Sequence, residues 1–164
     1  VKRLMHEPRL NRALRDMLNV QRVAALGTIN INGGPFVSMV PFAIDTQAAH
    51  LVLHVSLLAP HTRNMLTNPA VSLMVMQPET AAEPVHALPR ASFDGMAARL
   101  QPESPSWLAA RAVYLARFPE ALPMTELGDF SFVAITVTSA RQVAGFGAAR
   151  PLEADDIASI LRPL

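Results

Sequence analysis

The run Ser56-Leu57-Leu58-Ala59-Pro60-His61-Thr62-Arg63-Asn64 gathers the side chains best suited to chemistry. It predicts a strand end, a tight loop, and a short helix that opens at Pro60 and closes at Asn68-Pro69. A helix start leaves N–H groups without intrahelical acceptors, and the aligned peptide dipoles add positive potential, so it attracts phosphate. Thr62 adds a hydroxyl, while His61 and Arg63 add charged or part-charged donors. The same residues also describe an ordinary capped helix with an exposed arginine. On physics alone the two readings stand level.

Other candidates are weaker. Gly145-Phe146-Gly147 reads as a bulge or a sharp strand exit, or as backbone that approaches a ligand closely. His50 and His54 lie roughly 13 Å apart if their segment is extended, so they cannot chelate one metal. Asp155 and Asp156 are adjacent and diverge around a helix, which suits helix-start charges better than a catalytic pair. There is no GxSxG elbow, HExxH pair, Walker loop or GxGxxG fingerprint. No side chain is given a catalytic role, and no metal site is read.

These residues need a scaffold. A helix is expected over residues 8–18, with Leu10, Ala13, Leu14, Met17 and Leu18 on one face, Pro8 at its first position, and Arg9, Arg12 and Arg15 on a solvated face. Strands are expected at Val23–Ile29, Pro35–Ile44, Leu51–Val55, Val71–Met76, Ala91–Leu100, Phe130–Thr138 and Gln142–Phe146. The continuously apolar Val71–Met76 predicts a strand covered on both faces, by a helix or another subunit. Gly95 marks a bulge, and Pro78, Pro84 and Pro89 make residues 78–89 a loop. Ser104-Pro105 caps a helix running to Phe118, whose stripe of Trp107, Ala110, Arg111, Tyr114 and Phe118 reads as core or subunit contact. A last helix is expected at Glu153–Leu161.

Three strands in succession between residues 19 and 57 leave no room for βαβ crossovers. The fold expected is mainly β (α+β), an antiparallel barrel of six to seven strands with flanking helices, forming one domain over residues 1–164 with the barrel at 20–147.

Composition narrows the function. The chain has 164 residues and no cysteine, which excludes disulfides, iron–sulfur clusters and cysteine nucleophiles. Its net charge of +1 argues against general nucleic-acid binding. No apolar run reaches the roughly 18 residues of a membrane span, and Val1–Glu7 lacks a secretory core, so a cytoplasmic location is expected. The aromatic stripe and the apolar strand Val71–Met76 present more apolar surface than one small barrel covers, which points to a homodimer.

Leu26-Gly27-Thr28, Pro35-Phe36-Val37-Ser38-Met39-Val40-Pro41-Phe42-Ala43, Ser56 and His61-Thr62-Arg63-Asn64 with Asn68-Pro69 resemble the FMN-binding split barrel of pyridoxamine phosphate oxidase and its relatives. Gly128-Asp129-Phe130 and Ala144-Gly145-Phe146-Gly147 bring the resemblance closest to the haem-utilisation branch, which includes haem-degrading proteins. The resemblance implies a homodimer with FMN at the interface. It places Ser38, Met39, Val40 and Pro41 along the flavin, Ser56, His61, Thr62 and Arg63 at the phosphate, Asn64 in the helix's first turn, and Arg90 near the ring. It further implies a flavin-dependent oxidoreductase acting on a small molecule, or a non-catalytic module that binds FMN or haem. His61-Thr62 stands where true oxidases carry Arg-Lys. Haem-degrading members carry a further carboxy-terminal region, which would begin where this sequence stops.

Overall fold

The structure, a computed structural model, describes residues 7–163. The segment Val1–His6, part of the stretch read for a leader, lies outside the described residues.

The first hairpin joins β1 (Val23–Ile29) to β2 (Pro35–Pro41). Asn30 Oδ1 accepts from the N–H groups of Asn32 and Gly34, both at 2.9 Å, and Gly33 takes a φ of 81°, the left-handed region that glycine enters freely. The chain then passes through β3 (Ala43–Asp45), β4 (His50–Ser56), β5 (Ala70–Met76), β6 (Arg90–Arg99), β7 (Phe130–Val143) and β8 (Ala149–Glu153). Helix α1 (Arg9–Val20) precedes the sheet; α2 (Pro60–Thr67) follows β4; α3 (Pro105–Arg117) and α4 (Leu122–Thr125) lie between β6 and β7; α5 (Ala154–Leu161) ends the fold.

The antiparallel sheet runs β2-β1-β5-β6-β7-β4-β3, with β8 added on β7. β2 and β3 are consecutive in the chain yet lie at opposite ends of this order. The sheet therefore curls until its two edges approach across the fully buried Phe42, which is a split barrel. Leu26, Leu53, Leu73, Phe93 and Ile135 point inward, and α1 and α5 add Leu14, Leu18, Ile157 and Ile160 to the same core. A second core forms outside the barrel, where Ala110 and Tyr114 of α3, with Phe118 at its C-cap, pack on Val52 and Phe132.

Several elements differ from expectation. Pro8 is the N-cap of α1 rather than its first residue, and Glu7 pairs with Arg15 at 2.9 Å. The span Pro35–Ile44 divides at Phe42, because β2 pairs with β1 whereas β3 pairs with β4. Phe130–Thr138 and Gln142–Val143 belong to one long strand, since the register shift opposite Asp94 and Gly95 absorbs the irregularity near Ser139. Residues 144–146 are a turn. β8 was not foreseen; it carries Pro151, which an edge strand tolerates. β5 alternates between buried and half-exposed positions, so this chain covers only one of its faces. The α3 stripe, by contrast, is satisfied within the chain: Tyr114 and Phe118 are buried and Trp107 meets Phe132 edge-on at 5.7 Å. It gives no argument for a dimer.

Candidate functional site

The polar centre of the molecule forms where the start of α2 meets β1 and β2. Ser38 Oγ lies 3.0 Å from His61 Nδ1, a pairing of residues 23 positions apart. Burial lowers the His61 pKa, which favours the neutral imidazole over the charged one. Beneath it, Asn64 Nδ2 donates to Thr28 Oγ1 at 3.0 Å inside the protein. Thr28 was noted only as part of a motif; its role as the buried acceptor for Asn64 needs the fold to be seen.

Not every anticipated donor faces outward. Thr62 is 1 % exposed, and its Oγ1 is buried with no partner among the described residues. The N–H groups of Thr62 and Arg63 both donate to Ala59 O, at 3.1 and 3.3 Å, while the His61 N–H takes no backbone acceptor among the described residues. Arg63 is exposed and Nη1 donates to Leu58 O at 3.2 Å, which lays the guanidinium over the loop. The open donors are therefore Ser38, His61 and Arg63.

Ser56 ends β4 just before this loop. Its Oγ accepts from the Leu58 N–H at 3.2 Å and stands 3.4 Å from Asp129 Oδ2, and the Leu57 N–H donates to Asp129 O at 2.6 Å. Asp129, half-buried, thus joins the site by tying the start of β7 to the loop before α2. Its signal in the sequence was the Gly128-Asp129-Phe130 motif, with no role attached.

Along β2 the side chains alternate. Ser38 and Val40 point towards the barrel, whereas Met39 is 65 % exposed and Val37 70 % exposed on the outside, so Ser38–Pro41 do not present one continuous face. Outside, Val37 borders an apolar cleft of about 430 Å³ with Gly27, Ser72 and Met96. Arg90 sits elsewhere: Nη1 donates to Leu88 O at 2.9 Å and it lines a pocket with Met74, Met76 and His86. Among the described residues no hydrogen bond joins it to the Ser38–His61 pair. The outward row of Val37, Met39, Met74, Met76 and Met96 is the feature that sequence reading missed. The two-residue spacing of Met74 and Met76 was its one signal. No group of metal-ligating His, Asp or Glu side chains occurs among the described residues, and no helix there is long and apolar enough to cross a membrane.

Residues 10–144 match the family model of pyridoxamine 5'-phosphate oxidase. The chain belongs to this family. Among pyridoxamine 5'-phosphate oxidase-like proteins it is similar to the heme oxygenase HutZ of Vibrio cholerae, with 31 % identity over 158 residues, covering 96 % of this chain and 89 % of the relative. It is also similar to the chloroplast heme oxygenase HOZ of Arabidopsis thaliana, with 33 % identity over 138 residues, but spans only 40 % of that protein. A heme-binding protein from Mycobacterium smegmatis superposes with a TM-score of 0.83 at 28 % identity, over 94 % of this chain and 62 % of that one. These relatives place the chain in the haem-utilisation branch of the family.

Proposed function

We propose that this protein binds haem and takes part in its breakdown, as a homodimer. The observation that carries the reading is the end-to-end similarity to the Vibrio heme oxygenase, which spans nearly the whole of both chains. The surface supports it. Val37, Met39 and Met96 give a porphyrin an apolar wall, and a second copy of this chain would cover the rest of that face. Ser38, His61 and Arg63 supply a polar edge, and Arg63's planar fork suits a propionate carboxylate.

Haem iron supplies the redox and oxygen chemistry when bound. The chain's own part is to hold the macrocycle, keep water from its faces and orient one neutral imidazole. Ser38 fixes His61 through Nδ1, which leaves Nε2 as the nitrogen turned to a ligand. The matching experiment is a haemin titration of the full chain followed by the Soret band. Saturation near one haem per chain supports the reading, and Arg63→Ala should weaken binding about tenfold by loss of a charge-assisted contact. A featureless, non-saturating rise would count against it.

FMN is the second reading, and the family itself favours it. Its phosphate would depend on Ser38, the His61 N–H and ring, and Arg63, because the Thr62 hydroxyl is enclosed and the Asn64 amide is engaged by Thr28. That is a sparse set of donors for a dianion, whereas the adjoining surface is broad and apolar. The balance favours haem over a flavin-dependent oxidoreductase.

A further inference from the structure

The two ends of the sheet meet at a seam that no strand pairing closes among the described residues. β2 ends on β1, β3 begins on β4, and Phe42 is the residue between them. Contacts from outside the sheet must therefore hold the seam. The Phe42 ring is fully buried, and its N–H donates to Arg22 O at 3.2 Å.

Arg117, half-buried at the end of α3, gathers these contacts. Its Nη2 donates to Leu18 O at 3.1 Å and Asn19 O at 3.3 Å, and also meets Gln21 O. Those carbonyls end α1, which has no basic residue in its own last turn to satisfy them. The same guanidinium lies over the Phe42 ring, with Cζ 4.9 Å from the ring centroid. Arg22 returns the grip. Its Nη2 donates to Arg117 O at 3.3 Å and to Glu120 Oε1 at 3.1 Å, and its Cζ stands 4.7 Å from the centre of the Phe118 ring. A flat guanidinium can bond carbonyls in its plane while a ring packs on its face, a combination that an ammonium does not offer.

We propose that Arg117 latches the seam, and that the barrel opens there locally, at Phe42, with the rest of the sheet intact. Opening at this line breaks the Arg117 contacts and the Phe42–Arg22 bond, whereas parting β6 from β7 or β4 from β7 breaks a whole ladder of hydrogen bonds. The latch uses none of the residues assigned to haem, so it stands or falls separately from that reading.

The test is native-state hydrogen exchange of the full chain in low urea, followed amide by amide. In the parent, the N–H groups of Phe42 and Gln21 should exchange through one shared opening that depends only weakly on urea, because it bares little surface. Phe93 and Ile135, on central strands, should instead follow the steep urea dependence of whole-molecule unfolding. Arg117→Lys keeps the charge and loses the fork. It should speed exchange at Phe42 and Gln21 by a common factor of about ten. Arg111→Lys, on the same helix with a 3.4 Å contact to Thr125 Oγ1, should leave both rates unchanged. Phe42 exchange as steep in urea as that of Phe93 would overturn the proposal. So would a Phe42 rate that Arg117→Lys leaves alone, or that Arg111→Lys raises equally.

Discussion

His54 should make the fold acid-sensitive by a predictable amount. Its ring lies among Phe132 at 4.5 Å, Phe130 at 5.0 Å and Tyr114 at 5.5 Å, and its Nδ1 is buried without a partner among the described residues. At 8 % exposure a proton there would place a charge against aromatic rings and little else, and burial brings the pKa down to about 4. The neighbouring Tyr114, whose pKa burial and then Glu120 push up to about 12, offers no negative charge to hold that proton. Unfolded, the same histidine titrates near 6.5. Its neutral form is the one the fold accepts, so stability is full above pH 6.5 and declines as the pH falls towards 4, because only the unfolded chain takes up the proton. Integrated from pH 7.5 to 4.5, the loss is about 2.5 kcal/mol. His54→Leu retains an apolar side chain of similar size and cannot titrate. Urea unfolding of parent and variant at both pH values isolates the effect, because the carboxylates contribute equally to each. The reasoning fails if parent and His54→Leu lose the same stability on acidification.

Other consequences follow from single contacts. Gly95→Ala should cost about 1–3 kcal/mol in thermal unfolding, because its Cβ would lie 2.6 Å from Thr136 O and 2.9 Å from Ile135 Cγ2 at the bulge. Thr28→Val should cost a similar 1–3 kcal/mol by stranding the buried Asn64 amide, with Asn64→Leu in the Thr28→Val background restoring part of the loss. Met39→Asp should leave the fold intact, as Met39 is exposed, yet shift the mass found by light scattering from dimer to monomer. A parent that is already monomeric at micromolar concentration would remove the homodimer from the account.

Local signals carried the fold well where one element decides the outcome. Ser104-Pro105 opens α3, with Ser104 Oγ accepting the Trp107 N–H, and Glu153 forms a capping box with Asp156 at the start of α5. Gly95 marks the bulge because nothing larger fits against the neighbouring strand. What escaped was set by distant partners. The break at Phe42 exists because its two flanking strands pair at opposite edges of the sheet, and β8 exists because β7 continues far enough to template it. The site divides in the same way. The segment around His61 was legible as a loop followed by the start of a short helix. Which donors stay open depends on packing: Ser38 reaches His61 across the barrel's seam, and Thr62 is sealed beneath. The Leu57 N–H bonded to Asp129 O, with the Ser56 hydroxyl between the Leu58 N–H and the Asp129 carboxylate, makes a clasp that no spacing in the chain announces.

The central claim, that the outer wall and the Ser38–His61 edge serve haem rather than flavin, is tested most directly by competition. The full chain is dialysed against equimolar haemin and FMN, and its absorption spectrum is then recorded. The account predicts a Soret band near one haem per chain with little bound flavin, and loss of that band when His61→Ala and Arg63→Ala are combined. A spectrum dominated by flavin, unchanged by added haemin, would contradict it.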